Sequence, residues 1–266
     1  MTCFDARAYW EARLARHFDI RGAGYLDLGQ AYNEWLYRLR RRVFDRLARS
    51  CGMDLASAEV LDLGCGTGFY VDCWAKLGVR RITGIDLTAT AVGRLAERYP
   101  QYRFYRADVG EDLTWLGPGR FDAVSCMDVL FHVVDDAAYA RALQNIRVLL
   151  KPGGIALFSN HFVHGEMRRP TPHVVCRPLI AEMAALRGAG LEILARRPIF
   201  VLMNAPVDSD NRLLWGFWRM LERAVSRKPA VGYWVGGALY PLERALVRLC
   251  HESPTTEILL CRRPAA

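Results

Sequence analysis

The residues best suited to chemistry fall into two groups. The first is Val60-Leu61-Asp62-Leu63-Gly64-Cys65-Gly66-Thr67-Gly68, an apolar run with an acid near its end, followed by glycine at every second position. Glycine accepts positive φ and lets a ligand lie against bare backbone. A strand entering such a turn, with a helix behind it, opens a nucleotide-type site. The dinucleotide fingerprint is G-x-G-x-x-G and seats a pyrophosphate on the helix N-terminus. Here the spacing is G-x-G-x-G with Asp62 ahead of it. An acid there repels a pyrophosphate and suits a cationic ligand. The second group is histidine: His132 at the end of Asp128-Val129-Leu130-Phe131-His132, and His161 and His164 in Asn160-His161-Phe162-Val163-His164. An imidazole that is neutral near pH 7 can take a proton from a reacting hydroxyl. His161 and His164 are spaced i, i+3, but no third ligand completes a metal pattern, so no metal is expected.

These residues need a scaffold, and residues 58–160 read as alternating strands and helices. Strands are predicted over Glu59–Leu63, Arg81–Asp86, Tyr102–Ala107, Phe121–Cys126 and Ile155–Ser159. Helices are predicted over Phe69–Leu77, from Thr88 to about Tyr99, and from Asp135 or Asp136 to Lys151-Pro152-Gly153-Gly154, with apolar residues 139, 143, 146 and 150 at helical spacing. Repeated β-α units build a parallel sheet covered on both faces. In such a sheet ligands bind beyond the carboxyl ends of the strands. Strand one ends at the glycine turn, strand two at Asp86-Leu87, strand three at Asp108-Val109 and strand four at Cys126-Met127-Asp128. Singly, an acid after a strand is a turn former or a helix cap; the conjunction is more specific.

That conjunction resembles the class I S-adenosylmethionine (SAM)-dependent methyltransferases, bacterial small-molecule type, and the resemblance covers residues 58–160. It implies an α/β, Rossmann-like fold: a seven-stranded, mostly parallel sheet with helices on both faces. It implies SAM as cofactor, held by Asp62, Gly64, Cys65, Gly66 and Gly68 in the turn, Asp86 and Leu87 at the ribose, Asp108 and Val109 at the adenine, and Met127. Asp128-Val129-Leu130-Phe131-His132 is similar to the family's D-V-L-x-H segment, which borders the methyl group. His132 is then the first candidate base and His161 the second, with Asn160, His164 and Glu166 on the acceptor side. The tail, Arg177–Arg197 and Thr255–Arg263, fits the family's last helix and strands six and seven.

The flanks set this chain apart. Residues 1–50 form a predicted N-terminal helical lid, in which Tyr32-Asn33-Glu34-Trp35-Leu36-Tyr37 either closes on the cofactor, with Tyr32 and Trp35 facing the sulfonium by cation–π contact, or buries an amphipathic face. The cofactor domain takes 51–203 and 255–263. Between strands six and seven lies a helical insertion, 204–254, read as two helices over about Asp210–Arg227 and Tyr233–Cys250. It is a cap for the acceptor pocket, a dimer contact or a membrane-surface contact.

Charge follows the same division. Of the net +8, residues 1–50 carry +4, 51–160 carry −2 and 161–266 carry +6, so the ends are basic and the middle is not. This suits an anionic acceptor or surface. The chain has no N/D-P-P-Y/F-like motif after strand four and no separate nucleic-acid-binding module, so nucleic acid is not the expected partner. No stretch is apolar enough to span a membrane, and Asp5, Arg7 and Glu11 rule against a signal peptide. The eight cysteines, including Cys3, show no C-x-x-C pair, which fits a reducing cytoplasm. The expected function is methylation of a small-molecule acceptor, namely O-methylation of a secondary-metabolite or glycan-related hydroxyl. The alternatives are C- or N-methylation, including an anionic or prenyl-type acceptor, or a non-catalytic SAM-binding partner subunit. A homodimer is allowed.

Overall fold

The computed structural model describes residues 4–265; Cys3 lies outside them. Three helices open the chain: α1 (Ala6–Arg16), α2 (Ile20–Ala23) and α3 (Gly29–Ser50). The α/β core follows as β1 (Glu59–Leu63), α4 (Phe69–Lys76), β2 (Arg81–Asp86), α5 (Ala89–Arg98), β3 (Arg103–Arg106), β4 (Phe121–Cys126), α6 (Asp136–Leu149) and β5 (Leu150–Asn160). A short hairpin, β6 (Arg168–Thr171) with β7 (Val174–Cys176), precedes α7 (Leu179–Gly188) and β8 (Glu192–Pro198). The chain closes with α8 (Arg212–Arg227), α9 (Pro229–Leu249) and β9 (Glu257–Arg262).

Seven strands form one sheet in the order β3-β2-β1-β4-β5-β9-β8. Pairings from β3 through β5 are parallel, while β9 runs antiparallel to both β5 and β8. The order reverses between β1 and β4, the switch point where the carboxyl ends leave a crevice. β1 and β4 are almost wholly buried, because helices cover both faces and leave no room for a polar alternation. One apolar cluster joins α3, α4 and α9 to one face; the other joins α6 and α7 to the opposite face. Helix starts follow the side chains that cap them. Thr88 accepts from Ala91 N–H at 3.2 Å and Asp135 from Ala138 N–H at 2.7 Å, each replacing a partner the first turn lacks.

The insertion does form two helices, and no described residue of 204–254 lines the cavity at the carboxyl ends of β1, β2 and β4. Instead α9 packs along α3. Gly236 makes this possible: a Cβ there would lie 2.3 Å from Cδ1 of Trp35. α9 also runs through Pro241 and starts earlier than its apolar repeat suggested. The β6–β7 hairpin was not foreseen from its polar, proline-containing sequence.

Candidate functional site

A cavity of about 270 Å³ opens at the carboxyl ends of β1, β2 and β4. Its floor is the glycine turn. Gly64 and Gly66 have φ of 71° and 51°, a region that costs other residues Cβ strain. At Gly64 the crowding is also direct, since a Cβ would stand 2.4 Å from Val129 Cγ2. At Gly66 a Cβ would approach no described atom closer than 3.9 Å, so its bare edge is presented to the cavity.

Asp86 lines the cavity from the end of β2. Its Oδ2 accepts from Gly66 N–H at 2.8 Å, and its Oδ1 accepts from Thr88 N–H at 2.9 Å and Thr88 Oγ–H at 2.7 Å. The carboxylate thus ties the turn to the second strand while keeping lone pairs for a ligand. Burial raises its pKa, opposed by these hydrogen bonds. Leu87, Asp108, Val109, Cys65 and Met127 also line the cavity; Asp108 Oδ1 accepts from Gly110 N–H at 2.8 Å. Asp62 sits beneath the turn rather than in the lining. Its Oδ1 accepts from Ser125 Oγ at 2.6 Å, its Oδ2 is buried with no partner among the described residues, and burial pushes its carboxyl up to about 7. Gly68 is likewise outside the lining. It caps α4 with φ of 82°, and a Cβ there would meet Leu95 Cδ2 at 2.5 Å.

The far wall is the segment after β4. Asp128 is the one non-glycine residue with positive φ among those described, at 59°. It is held by an ion pair with Arg40 of α3 and by Ser159, whose Oγ donates to its Oδ1 at 2.9 Å. The 3₁₀ turn Leu130–His132 then carries His132 to the cavity. His132 Nδ1 lies 2.7 Å from the carbonyl oxygen of His173, in the turn between β6 and β7. A carbonyl only accepts, so Nδ1 carries the proton and Nε2 keeps its lone pair. Burial pushes the imidazole down to about 3, so it is neutral at pH 7. Trp10 stands edge-on to it, with ring centroids 4.8 Å apart.

The roof comes from the N-terminal helices, and of the aromatic segment expected there only Tyr37 takes part. Ala6, Trp10 and Leu14 of α1, Ala23 of α2 and Tyr37 of α3 line the cavity. Tyr32 and Trp35 do not. Tyr32 is fully buried and donates to Met203 O at 3.0 Å, while Trp35 Nε1 donates to Tyr233 O at 2.9 Å. Both face the insertion because α9 covers that side of α3. Glu11 fastens α1 across the crevice, its carboxylate accepting from Ala89 N–H at 2.7 Å and Thr90 N–H at 3.0 Å. Trp10 and Leu14 lie i, i+4 on one helix face, a spacing in the sequence that could have marked them.

The other acceptor-side residues also lie outside the lining. His161 is packed behind Phe131, ring centroids 4.4 Å apart, with Nδ1 3.3 Å from both Thr255 O and Thr256 Oγ1; burial lowers its pKa. Asn160 is buried and donates to Glu182 Oε1 at 2.8 Å. His164 is exposed and bonded to Asp208 at 2.5 Å, which raises its pKa. Glu166 is exposed. Asn160 ends β5 and the other three follow it, at a carboxyl end that opens beside Thr255 and Asp208 instead of into the crevice. Among the described residues no group of three His, Cys, Asp or Glu side chains is placed to hold a metal.

This lining fits SAM. It offers bare glycine backbone, acids at the ends of β2 and β3, and the buried Tyr70 hydroxyl, which has no partner among the described residues and so leaves a donor for a polar ligand. Comparison agrees. A methyltransferase-domain family model matches residues 60–154. The ubiquinone biosynthesis O-methyltransferase of Xanthomonas oryzae pv. oryzae is 44% identical over 197 residues, covering 67% of this chain and 75% of the relative. Two solved structures share the fold. The SAM-dependent methyltransferase of Mesorhizobium loti has a TM-score of 0.51 and 18% identity over 82% of this chain and 96% of its own. The 1,6-didemethyltoxoflavin-N1-methyltransferase of Burkholderia thailandensis, solved with S-adenosylhomocysteine, has a TM-score of 0.53 and 18% identity over 98% of this chain and 92% of its own. A glycine turn, acid-ended strands and a relative of this identity and coverage together make the chain a member of the class I SAM-dependent methyltransferases, an enzyme whose cofactor is SAM.

Proposed function

We propose that the protein O-methylates a hydroxyl of a small, largely apolar molecule, with His132 as the base. The observation that carries this is the bond from His132 Nδ1–H to the His173 carbonyl, which leaves Nε2 as an acceptor on a residue that lines the cavity. The bound cofactor supplies a methyl already activated on a sulfonium. The chain's task is then to orient a hydroxyl oxygen in line with that methyl and to receive its proton. With the cofactor bound, His132 Nε2 would receive the hydroxyl proton as the acceptor oxygen takes the methyl from sulfur. The sulfonium charge would be lost as the imidazolium charge appears, so the net charge of the pocket would be unchanged. That balance would offset the burial that otherwise disfavours imidazolium, and Asp128 favours it further.

The apolar roof of Ala6, Trp10, Leu14 and Ala23 suits an apolar acceptor, such as a secondary metabolite. The relatives named as ubiquinone biosynthesis O-methyltransferases support oxygen as the acceptor atom. In this reading α1–α3 are the lid over the cavity, and the insertion braces α3. The test is incubation with SAM and a matched panel of phenols, aliphatic alcohols, amines and activated carbon acids, with product methyl position read by NMR. Methyl on oxygen is expected. Transfer solely to nitrogen or carbon would overturn the assignment, and cofactor binding without transfer to any acceptor would favour a non-catalytic partner subunit.

A further inference from the structure

We propose that the outer face of α8 docks on an anionic lipid surface. Arg212, Gly216, Arg219, Arg223 and Arg227 recur at helical spacing on one exposed stripe. None of the four arginines has an ion-pair partner among the described residues. Glu222 is the helix's only acid. Gly216, with no side chain, leaves a shallow trough flanked by Arg219, Met220 and Arg223.

A solvated basic stripe needs no apolar border, yet this one has one. Leu213 and Met220 are 85% and 63% exposed. At 100° per residue they sit on the shoulder between the arginines and the buried residues Trp218, Leu221 and Val225. Arginines at headgroup level, with large apolar side chains beside them, suit an anionic membrane interface, where the stem of each arginine lies along acyl carbon and its guanidinium meets phosphate. A nucleic acid would match the charge but leave Leu213 and Met220 in water. No described helix is long and apolar enough to cross a membrane, so the contact is peripheral. A second depression, lined by Arg21, Arg223 and Arg227, also holds Asp27 and Glu222. It extends the surface toward α2, whose Ala23 lines the cavity, so the docked face adjoins the cavity roof.

The test is co-sedimentation of the full chain with phosphatidylglycerol-containing vesicles and with pure phosphatidylcholine vesicles. Binding to the anionic vesicles alone, weakened by salt, is expected. Each basic residue near such a surface contributes about a fivefold change in partition, so the triple variant Arg219→Ala/Arg223→Ala/Arg227→Ala should lose roughly a hundredfold. Leu213→Ser/Met220→Ser should weaken binding while its salt dependence persists. S-adenosylhomocysteine affinity, unchanged in both variants, reports that they are folded. No vesicle binding, equal binding to neutral vesicles, or full binding by either variant would overturn the proposal. So would capture of RNA that the Leu213→Ser/Met220→Ser variant retains, together with absence of vesicle binding.

Discussion

Replacing Asp86 with Asn keeps the shape of the side chain and removes one acceptor oxygen and the charge. In the native protein the two carboxylate oxygens accept three hydrogen bonds, from Gly66 N–H and from the N–H and Oγ–H of Thr88. An amide has one acceptor oxygen. Turned toward Thr88, it sets its NH₂ against Gly66 N–H, and that part-buried donor loses its partner at a cost of up to about 1–3 kcal/mol. Part of this is offset, because burial penalises the native carboxylate and the neutral amide escapes that penalty. The net change in folding stability should therefore be small, about 1–2 kcal/mol. Cofactor affinity should suffer more. Hydroxyls donating to an ionised carboxylate form stronger bonds than those donating to an amide, and the freed Gly66 loosens the turn that forms the floor. A loss of about 1–3 kcal/mol corresponds to roughly a 5- to 150-fold rise in Kd. Calorimetric titration with S-adenosylhomocysteine reads the affinity, and urea unfolding reads the stability. A folded Asp86→Asn variant with unchanged Kd would refute Asp86 as a cofactor contact.

Three further outcomes follow from the same geometry. Arg40→Met leaves the partly buried Asp128 carboxylate without its cation and should cost up to about 3 kcal/mol in urea unfolding, the low end for a buried pair; a loss below about 1 kcal/mol would show the pair to be incidental. Gly64→Ala should impair cofactor binding through its positive φ and its clash with Val129, and Val129→Ala added to it should restore part of the loss; no recovery would put the whole effect on the backbone. His132 has a folded pKa of about 3 against about 6.5 unfolded, a depressed value. Its contribution to stability is present above about pH 6.5 and lost as the pH falls toward 3, because only the unfolded chain takes up the proton. Between about pH 7.5 and 5 the wild type should lose about 2 kcal/mol more than His132→Gln; equal losses would mean that the ring is not buried and neutral.

The core of the fold was legible because its signals are local. Asp62, Asp86 and Asp108 each stand at or beside the end of an apolar run, and the spacing of glycines 64, 66 and 68 separates this turn from a dinucleotide loop. What failed was the choice of partner. The repeat of α3 shows that Tyr32, Leu36 and Leu39 share a buried face, but not that the face meets α9; that contact joins residues some two hundred positions apart. The aromatic segment therefore read equally as a lid or as a buried amphipathic face; Tyr32 and Trp35 take the second part, and the roof falls to Trp10 on the shorter α1 together with Tyr37. His161 and His164 were misplaced for a related reason. Residues after β5 were taken to face the crevice, whereas the antiparallel β9 beside β5 turns that end toward Thr255 and Asp208. His173 carried no signal at all, because it acts through its backbone carbonyl and any residue type supplies one.

The most direct test of the account is the turnover of His132→Gln with a hydroxyl acceptor, measured beside its S-adenosylhomocysteine affinity. If Nε2 takes the acceptor proton, kcat falls by about 10²–10⁴-fold while cofactor Kd stays within about twofold, a difference of roughly 0.4 kcal/mol. A variant that turns over at the wild-type rate would contradict the assignment of His132 as the base.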